Sequence, residues 1–224
     1  MPAVADATPN IAAALIDTLI SGNRGDRRAF EYAGRTYSYQ DVAALMNRTA
    51  NMFVALGVPA GGRVLLLMPE SPAFVASLLG AMKAGAVPVL GVRNDGSDVA
   101  RCIDVAAPAA AIVHEARLAS VEAPLGRIPG RAIVVVGGTA HGYQAFVDVV
   151  RAQASWLASG PVAPDAPALG VWDGSRLESM SHSDVASFVG GEGTFADAHV
   201  AEAARVGAML LAFATGESVA LTSS

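Results

Sequence analysis

Four short stretches of this chain are apolar almost throughout: Arg63–Met68 after its arginine, Ala86–Leu90, Ala109–Val113 and Ala132–Val136. A strand with one wet face alternates apolar and polar residues, whereas a strand covered on both faces is apolar at successive positions. Helical segments separate these stretches. Ser71-Pro72 opens one through Lys83, with proline in the first turn, where its missing N–H costs nothing; others run from Ser97 to Ala106 and from Ala116 to Ala123. Strands that alternate with helices and are buried on both sides predict an α/β fold, a mostly parallel sheet with helices on both faces.

The flanking segments carry clear local signals. Asn10 caps a helix over Ile11–Ile20, stopped by Ser21-Gly22-Asn23. Two alternating runs, Ala29–Tyr32 and Arg35–Tyr39, flank Ala33-Gly34 as a β-hairpin. Ser38 caps a helix that Gly57 ends. Further on, the pattern predicts a helix over Gly142–Trp156, a proline-rich connection over Ser159–Pro167 and a strand over Ala168–Trp172. A helix over Ser181–Val189, a break at Gly190, Gly191 and Gly193, a helix over Val200–Phe213 and a short strand over Ser218–Leu221 follow.

Composition narrows the partners. The net charge of −5 and pI near 5.3 argue against nucleic acid or an anionic membrane. Arg24, Arg27 and Arg28 are interleaved with Asp26 and read as a solvated turn. The hydrophobic fraction of 53% is rich in alanine, and the longest apolar run, Val206–Thr215, is too short to span a membrane. Met1–Asn10 lacks a basic region ahead of an apolar one, so no signal peptide is read there. The single cysteine, Cys102, excludes an internal disulfide and reads as a small buried hydrophobe on a helix. A cytoplasmic protein is expected.

Order and spacing of several segments carry a resemblance. Gly34-Arg35-Thr36-Tyr37-Ser38-Tyr39-Gln40-Asp41-Val42, Asn47-Arg48-Thr49-Ala50-Asn51 and Ala55-Leu56-Gly57-Val58 are followed by Gly62–Pro72 and by Leu79-Gly80-Ala81-Met82-Lys83-Ala84-Gly85-Ala86-Val87-Pro88-Val89. Together they resemble the N-terminal portion of the adenylate-forming (AMP-binding) acyl-CoA synthetase superfamily, nearest to benzoate and aryl-acid-CoA ligases. The resemblance is dense over residues 11–115, weaker over 116–172 and patchy over 173–224. It implies one truncated ligase-like N-terminal domain over residues 1–224. Gly80, Gly85 and Pro88 are expected to shape a helix-to-strand turn.

Members of that superfamily join a carboxylic acid to the α-phosphate of ATP and then pass the acyl group to a thiol such as coenzyme A. The resemblance places the phosphate-binding loop between Ala168–Trp172 and Ser181-His182-Ser183-Asp184. Only Asp173-Gly174-Ser175-Arg176-Leu177-Glu178-Ser179-Met180 lies there. Small residues let a loop's N–H groups wrap phosphates, and this loop is shorter than the family's, keeps one glycine and has Glu178 about where the loop lysine falls. The remnant site is Asp173, Gly174, Ser175, Arg176 and Glu178. Asp173 and Glu178 are expected to repel a triphosphate, and Arg176 to form a surface ion pair.

Other candidates read as structural. Asp173, Glu178, His182 and Asp184 match no metal-ligand spacing, and Ser181 or Ser183 is expected to cap a helix there. His114, His141 and His199 are isolated, and Gly137-Gly138-Thr139 reads as a strand-to-helix turn. No catalytic residue, no metal and no bound cofactor are expected, although the intact family uses ATP, Mg²⁺ and CoA.

The expectation is a catalytically degenerate ligase-like protein acting as an interaction or regulatory subunit. It would pair as a homodimer or with a protein partner through a face left uncovered by truncation, with no nucleic acid and no membrane partner. The alternatives are a non-catalytic binder of aryl or acyl acids, a component of a split acid-CoA ligase, and a gene remnant without a selected role.

Overall fold

The computed structural model describes residues 8–93, 95–128, 132–138, 142–192, 194–195 and 201–221. The readings made for the N-terminal seven residues and for Thr139, His141, Gly193, His199 and Val200 lie outside them.

The chain opens with α1 (Ile11–Ser21), whose first-turn N–H groups of Ala12 and Ala13 donate to the Asn10 side chain. The hairpin β1 (Arg28–Tyr32) and β2 (Arg35–Ser38) is antiparallel as expected. Then α2 (Tyr39–Ala55) begins at a reciprocal cap: Ser38 accepts from the Asp41 N–H, and Asp41 accepts from the Ser38 N–H. From there strands and helices alternate: β3 (Arg63–Leu67), α3 (Pro72–Lys83), β4 (Val87–Leu90), α4 (Gly96–Ala106), β5 (Ala110–His114), α5 (Glu115–Leu125) and β6 (Ile133–Val136). The rest comprises β7 (Gln144–Ala145), α6 (Phe146–Arg151), β8 (Pro167–Trp172), β9 (Leu177–Ser181), α7 (His182–Val189), α8 (Ala201–Thr215) and β10 (Val219–Ala220).

Seven strands form one sheet in the order β7-β6-β5-β3-β4-β8-β9, parallel except for β9. Its two cores follow from the period-2 alternation of side chains along each strand. Val64, Leu66 and Met68 of the β3 segment, with Ile112 of β5, face a core completed by α1, α2, α3 and α8. Leu65, Leu67, Ala111 and Val113 face the opposite core, where α4 and α5 bring Val99, Cys102, Val121 and Leu125. Cys102 is buried there as read. A three-stranded sheet, β10-β1-β2, lies apart, with β10 parallel to β1.

Three readings need correction. The helix expected over Gly142–Trp156 is instead the two-residue strand β7 and the six-residue α6; Gln144 and Ala145 pair with Val134 and Val135 at the sheet edge. Gly80 lies in the middle of α3, not in a turn. It is where α2 crosses: a Cβ there would come within 2.8 Å of the Thr49 side chain and 3.0 Å of the Ala50 nitrogen. The turn role belongs to Gly85, whose φ is +76°. The segment read as a loop over 173–180 is strand in its second half, 177–180, since β9 folds back on β8. Among the described residues, no helix is long and apolar enough to cross a membrane.

Candidate functional site

Adjacent parallel strands whose following helices lie on opposite faces of the sheet leave a crevice between their carboxyl ends. β3 leads into α3 on one face and β4 into α4 on the other. A cavity of about 550 Å³ opens there. Met68, Pro69 and Glu70 line it after β3; Gly91, Val92 and Arg93 after β4; Trp172, Asp173 and Gly174 after β8. Arg117 of α5 and Glu202 and Arg205 of α8 close it.

Its back wall is built on one carboxylate. Asp98, in the first turn of α4, is fully buried. It accepts the Arg93 backbone N–H at 2.9 Å, the Arg93 and Arg101 guanidinium groups at 3.2 and 2.7 Å, and the Trp172 indole N–H at 3.2 Å. Burial alone would raise the Asp98 carboxyl. The Arg93 N–H, the Trp172 indole and the Arg93 guanidinium outweigh it and hold Asp98 below the usual carboxylate range. Nothing in the sequence marks this residue: an acid three positions before an arginine on an amphipathic helix reads as a surface pair.

The α8 side is also tied by charge. Glu202 accepts the Gly91 N–H at 2.8 Å, and Arg205 pairs with Glu70. Burial pushes the Glu202 carboxyl up, partly offset by the Gly91 N–H. Three arginines and three carboxylates thus border the cavity, so its charge is balanced. These α8 contacts were not legible in the sequence.

The remnant loop forms the cavity's rim. Residues 173–176 make one tight turn between β8 and β9, in which the Asp173 N–H donates to the Arg176 carbonyl at 3.2 Å. The Asp173 carboxylate turns back into its own loop. It accepts the backbone N–H of Ser175 at 2.8 Å and of Arg176 at 2.9 Å, the Ser175 hydroxyl at 2.8 Å and the Arg176 Nε at 3.0 Å. The Arg176 and Ser175 N–H groups are the main reason its carboxyl is lowered to about 2. Gly174, at φ +101°, is the residue the turn demands, and a Cβ there would stand 3.4 Å from the Arg93 guanidinium. Arg101 reaches over to the Gly174 carbonyl at 3.4 Å.

Of the expected set, Asp173 and Gly174 reach the cavity and Ser175 and Arg176 complete the turn. Glu178 departs from it: it is exposed on the edge strand β9, opposite Val171. The surface ion pair expected of Arg176 forms with Asp173.

His182 and Asp184 have structural duties. His182 is buried, and its Nδ1 accepts the Ile11 N–H at 3.1 Å, across 171 residues. Burial lowers its pKa. Ser181, rather than Ser183, caps α7, and Asp184 closes the reciprocal cap. Among the described residues, no three His, Cys, Asp or Glu side chains gather into a metal-binding group.

With this geometry in view, the relationship to known proteins is direct. Residues 20–171 match the family described as AMP-binding enzyme. The 3-hydroxybenzoate–CoA ligase of Aromatoleum sp. (strain CIB) is 34% identical over 179 residues, which are 78% of this chain and 34% of that protein. The 3-hydroxybenzoate–CoA/4-hydroxybenzoate–CoA ligase of Thauera aromatica is 34% identical over 160 residues, 70% of this chain and 31% of that protein. The crystal structure of the anthranilate CoA ligase AuaEII in complex with anthranoyl-AMP superposes with a TM-score of 0.83 at 20% identity, over 97% of this chain and 45% of that one. The chain belongs to the AMP-binding enzyme family, and its fold is that of the N-terminal subdomain of adenylate-forming ligases. It spans about a third of the length of these two curated relatives.

Proposed function

We propose that this acyl-CoA-synthetase-like chain does not activate an acid by itself and serves as an interaction or regulatory subunit. One observation carries the reading: the Asp173 carboxylate occupies the Ser175 and Arg176 N–H groups that a phosphate would need. A loop that wraps phosphates must leave its N–H donors open and its backbone free to approach. Here the donors already serve an anion of the loop's own. Any polyanion entering must displace a carboxylate bound through four contacts, and it meets that carboxylate's charge as it does so.

An interaction role is supported on another face. Asn47, Arg48 and Asn51 of α2 donate to the carbonyls of Arg151, Gln153, Ala154, Ser155 and Trp156, strapping that segment down. The strap presents the Trp156 residue 73% exposed. Val54 on α2 and Val147 on α6, helices that pack on each other, are also exposed. We assign this side to a protein contact, a second copy or another chain, because an indole displayed on a fixed backbone is a typical anchor.

The test is pyrophosphate release from ATP-Mg²⁺ with benzoate, 3-hydroxybenzoate and a fatty acid series, with calorimetry of each component. Neither turnover nor ATP binding is expected; pyrophosphate release by the purified chain overturns the proposal. A second reading, a non-catalytic binder of aryl or acyl acids, draws on the cavity's size and on Arg117 in its wall. Saturable acid binding without ATP binding would select it.

A further inference from the structure

A second cavity, of about 770 Å³, opens at the carboxyl ends of β5 and β6, beside the first turns of α3 and α6. Its size is that of a small-molecule site. Pro72, Ala73, Val136 and Phe146 give it apolar surface, and Tyr32 adds a second aromatic ring.

Its charge is unlike that of the cavity beside the Asp173 turn. Three arginines border that one. Among the described residues, no arginine or lysine lines this one, and Asp148 is its one side chain of fixed charge. The Asp148 carboxylate is exposed and has no hydrogen-bond or ion-pair partner among the described residues. A second carboxylate stands close to Gly137, which lines the cavity: a Cβ there would come within 3.1 Å of His114 Nε2 and 3.2 Å of Glu115 Oε1. His114 Nδ1 accepts the Ala116 N–H at 3.2 Å, so the neutral ring carries its proton on Nε2 and offers a donor, not a charge. An anion entering here meets two carboxylates and no cation. A protonated amine finds an unpaired carboxylate, with apolar and aromatic surface for its body.

We infer that this cavity binds a small apolar primary amine, an arylalkyl ammonium, with its cation on Asp148 and its ring against Pro72, Ala73 and Phe146. The Asp173 turn takes no part in it, so the site holds whether or not that turn takes a nucleotide.

Calorimetric titration of the full chain with phenethylamine tests it, with phenethyl alcohol as the neutral control of the same shape. The amine is expected to bind one to one, about three- to fivefold more tightly than the alcohol, the range of one exposed charge pair. Asp148→Asn is expected to erase that preference. Glu178→Gln removes the same charge from the exposed edge strand and is expected to preserve it, which separates the site from general attraction to a chain of net charge −5. In the ¹⁵N-labelled chain, the amine is expected to shift the amides of Val136, Gly137 and Asp148, and phenylpropionate to leave all three unmoved. Absence of saturable amine binding, an alcohol that binds as tightly, a preference that survives Asp148→Asn or falls equally in both variants, or amine shifts that miss these amides overturns the inference. Asp148 is exposed and asparagine keeps its size, so that variant folds and decides.

Discussion

The indole N–H of Trp172 donates to the buried carboxylate of Asp98 at 3.2 Å, tying the end of β8 to the start of α4 across 74 residues. The same carboxylate gathers Arg93 and Arg101, and Arg101 holds the Gly174 carbonyl. The 173–176 turn is therefore held from behind as well as from within. Asp98→Ala leaves the Trp172 indole and the Arg93 backbone N–H without their acceptor and opens a small void, and is expected to cost about 3 kcal/mol. Trp172→Phe removes one neutral donor and costs about 1 kcal/mol from the lost bond. Urea unfolding of both variants checks the order.

The helix crossing at Gly80 allows no side chain. Gly80→Ala forces a methyl against the Thr49 side chain, the Ala50 nitrogen and the Met46 carbonyl, the last at 3.1 Å. Despite the better helix propensity of alanine, a loss of about 2 kcal/mol is expected in thermal or urea unfolding.

His182 makes stability depend on pH with a definite sign. Its folded pKa is lowered by burial, so on acidification the unfolded chain takes up the proton first. The stabilisation is complete above the ordinary value of about 6.5 and is lost as pH falls toward the folded value. Glu202 contributes with the opposite sign. Its raised carboxyl pKa favours the folded state at low pH and withdraws that support as pH rises through the folded value. The His182→Ala difference isolates the first effect: its destabilisation, about 2 kcal/mol at pH 7.5 from the unpaired Ile11 N–H and the vacated space, should shrink at pH 5.5. A gap that stays constant between the two pH values contradicts this assignment.

Glu202→Gln keeps an acceptor for the Gly91 N–H and removes a charge that burial disfavours. Stability at pH 7.5 is expected to rise by a few tenths to about 1 kcal/mol, as read from the urea midpoint. A loss would mean that attraction to Arg117 and Arg205 outweighs desolvation.

Much of the sheet was legible because β3, β4, β5 and β6 are apolar on both faces, a pattern that little else produces. The caps at Asn10, Ser38 and Ser71 fixed three helix starts for the same local reason. The edges were not legible. β9 reads Leu-Glu-Ser-Met-Ser and buries only Met180, so it has neither strong alternation nor an apolar run. β7 is two residues long and exists only because β6 offers an edge. At the site, the chemical poverty of 173–178 could be read in order, but Glu178's place on the edge strand could not. The inward turn of Asp173 is a local hydrogen-bonded turn, closed on Ser175 and Arg176, whereas the burial of Asp98 is a tertiary fact, set by Trp172 from 74 residues away.

The Ser175 and Arg176 N–H groups are already engaged by Asp173, and the proposed function requires that they stay closed to a nucleotide. Amide ¹⁵N–¹H shifts of these two residues during titration with ATP-Mg²⁺ test it most directly. No saturable change is expected at either amide; saturable shifts at both, accompanied by pyrophosphate release when an aryl acid is added, overturn the proposed function.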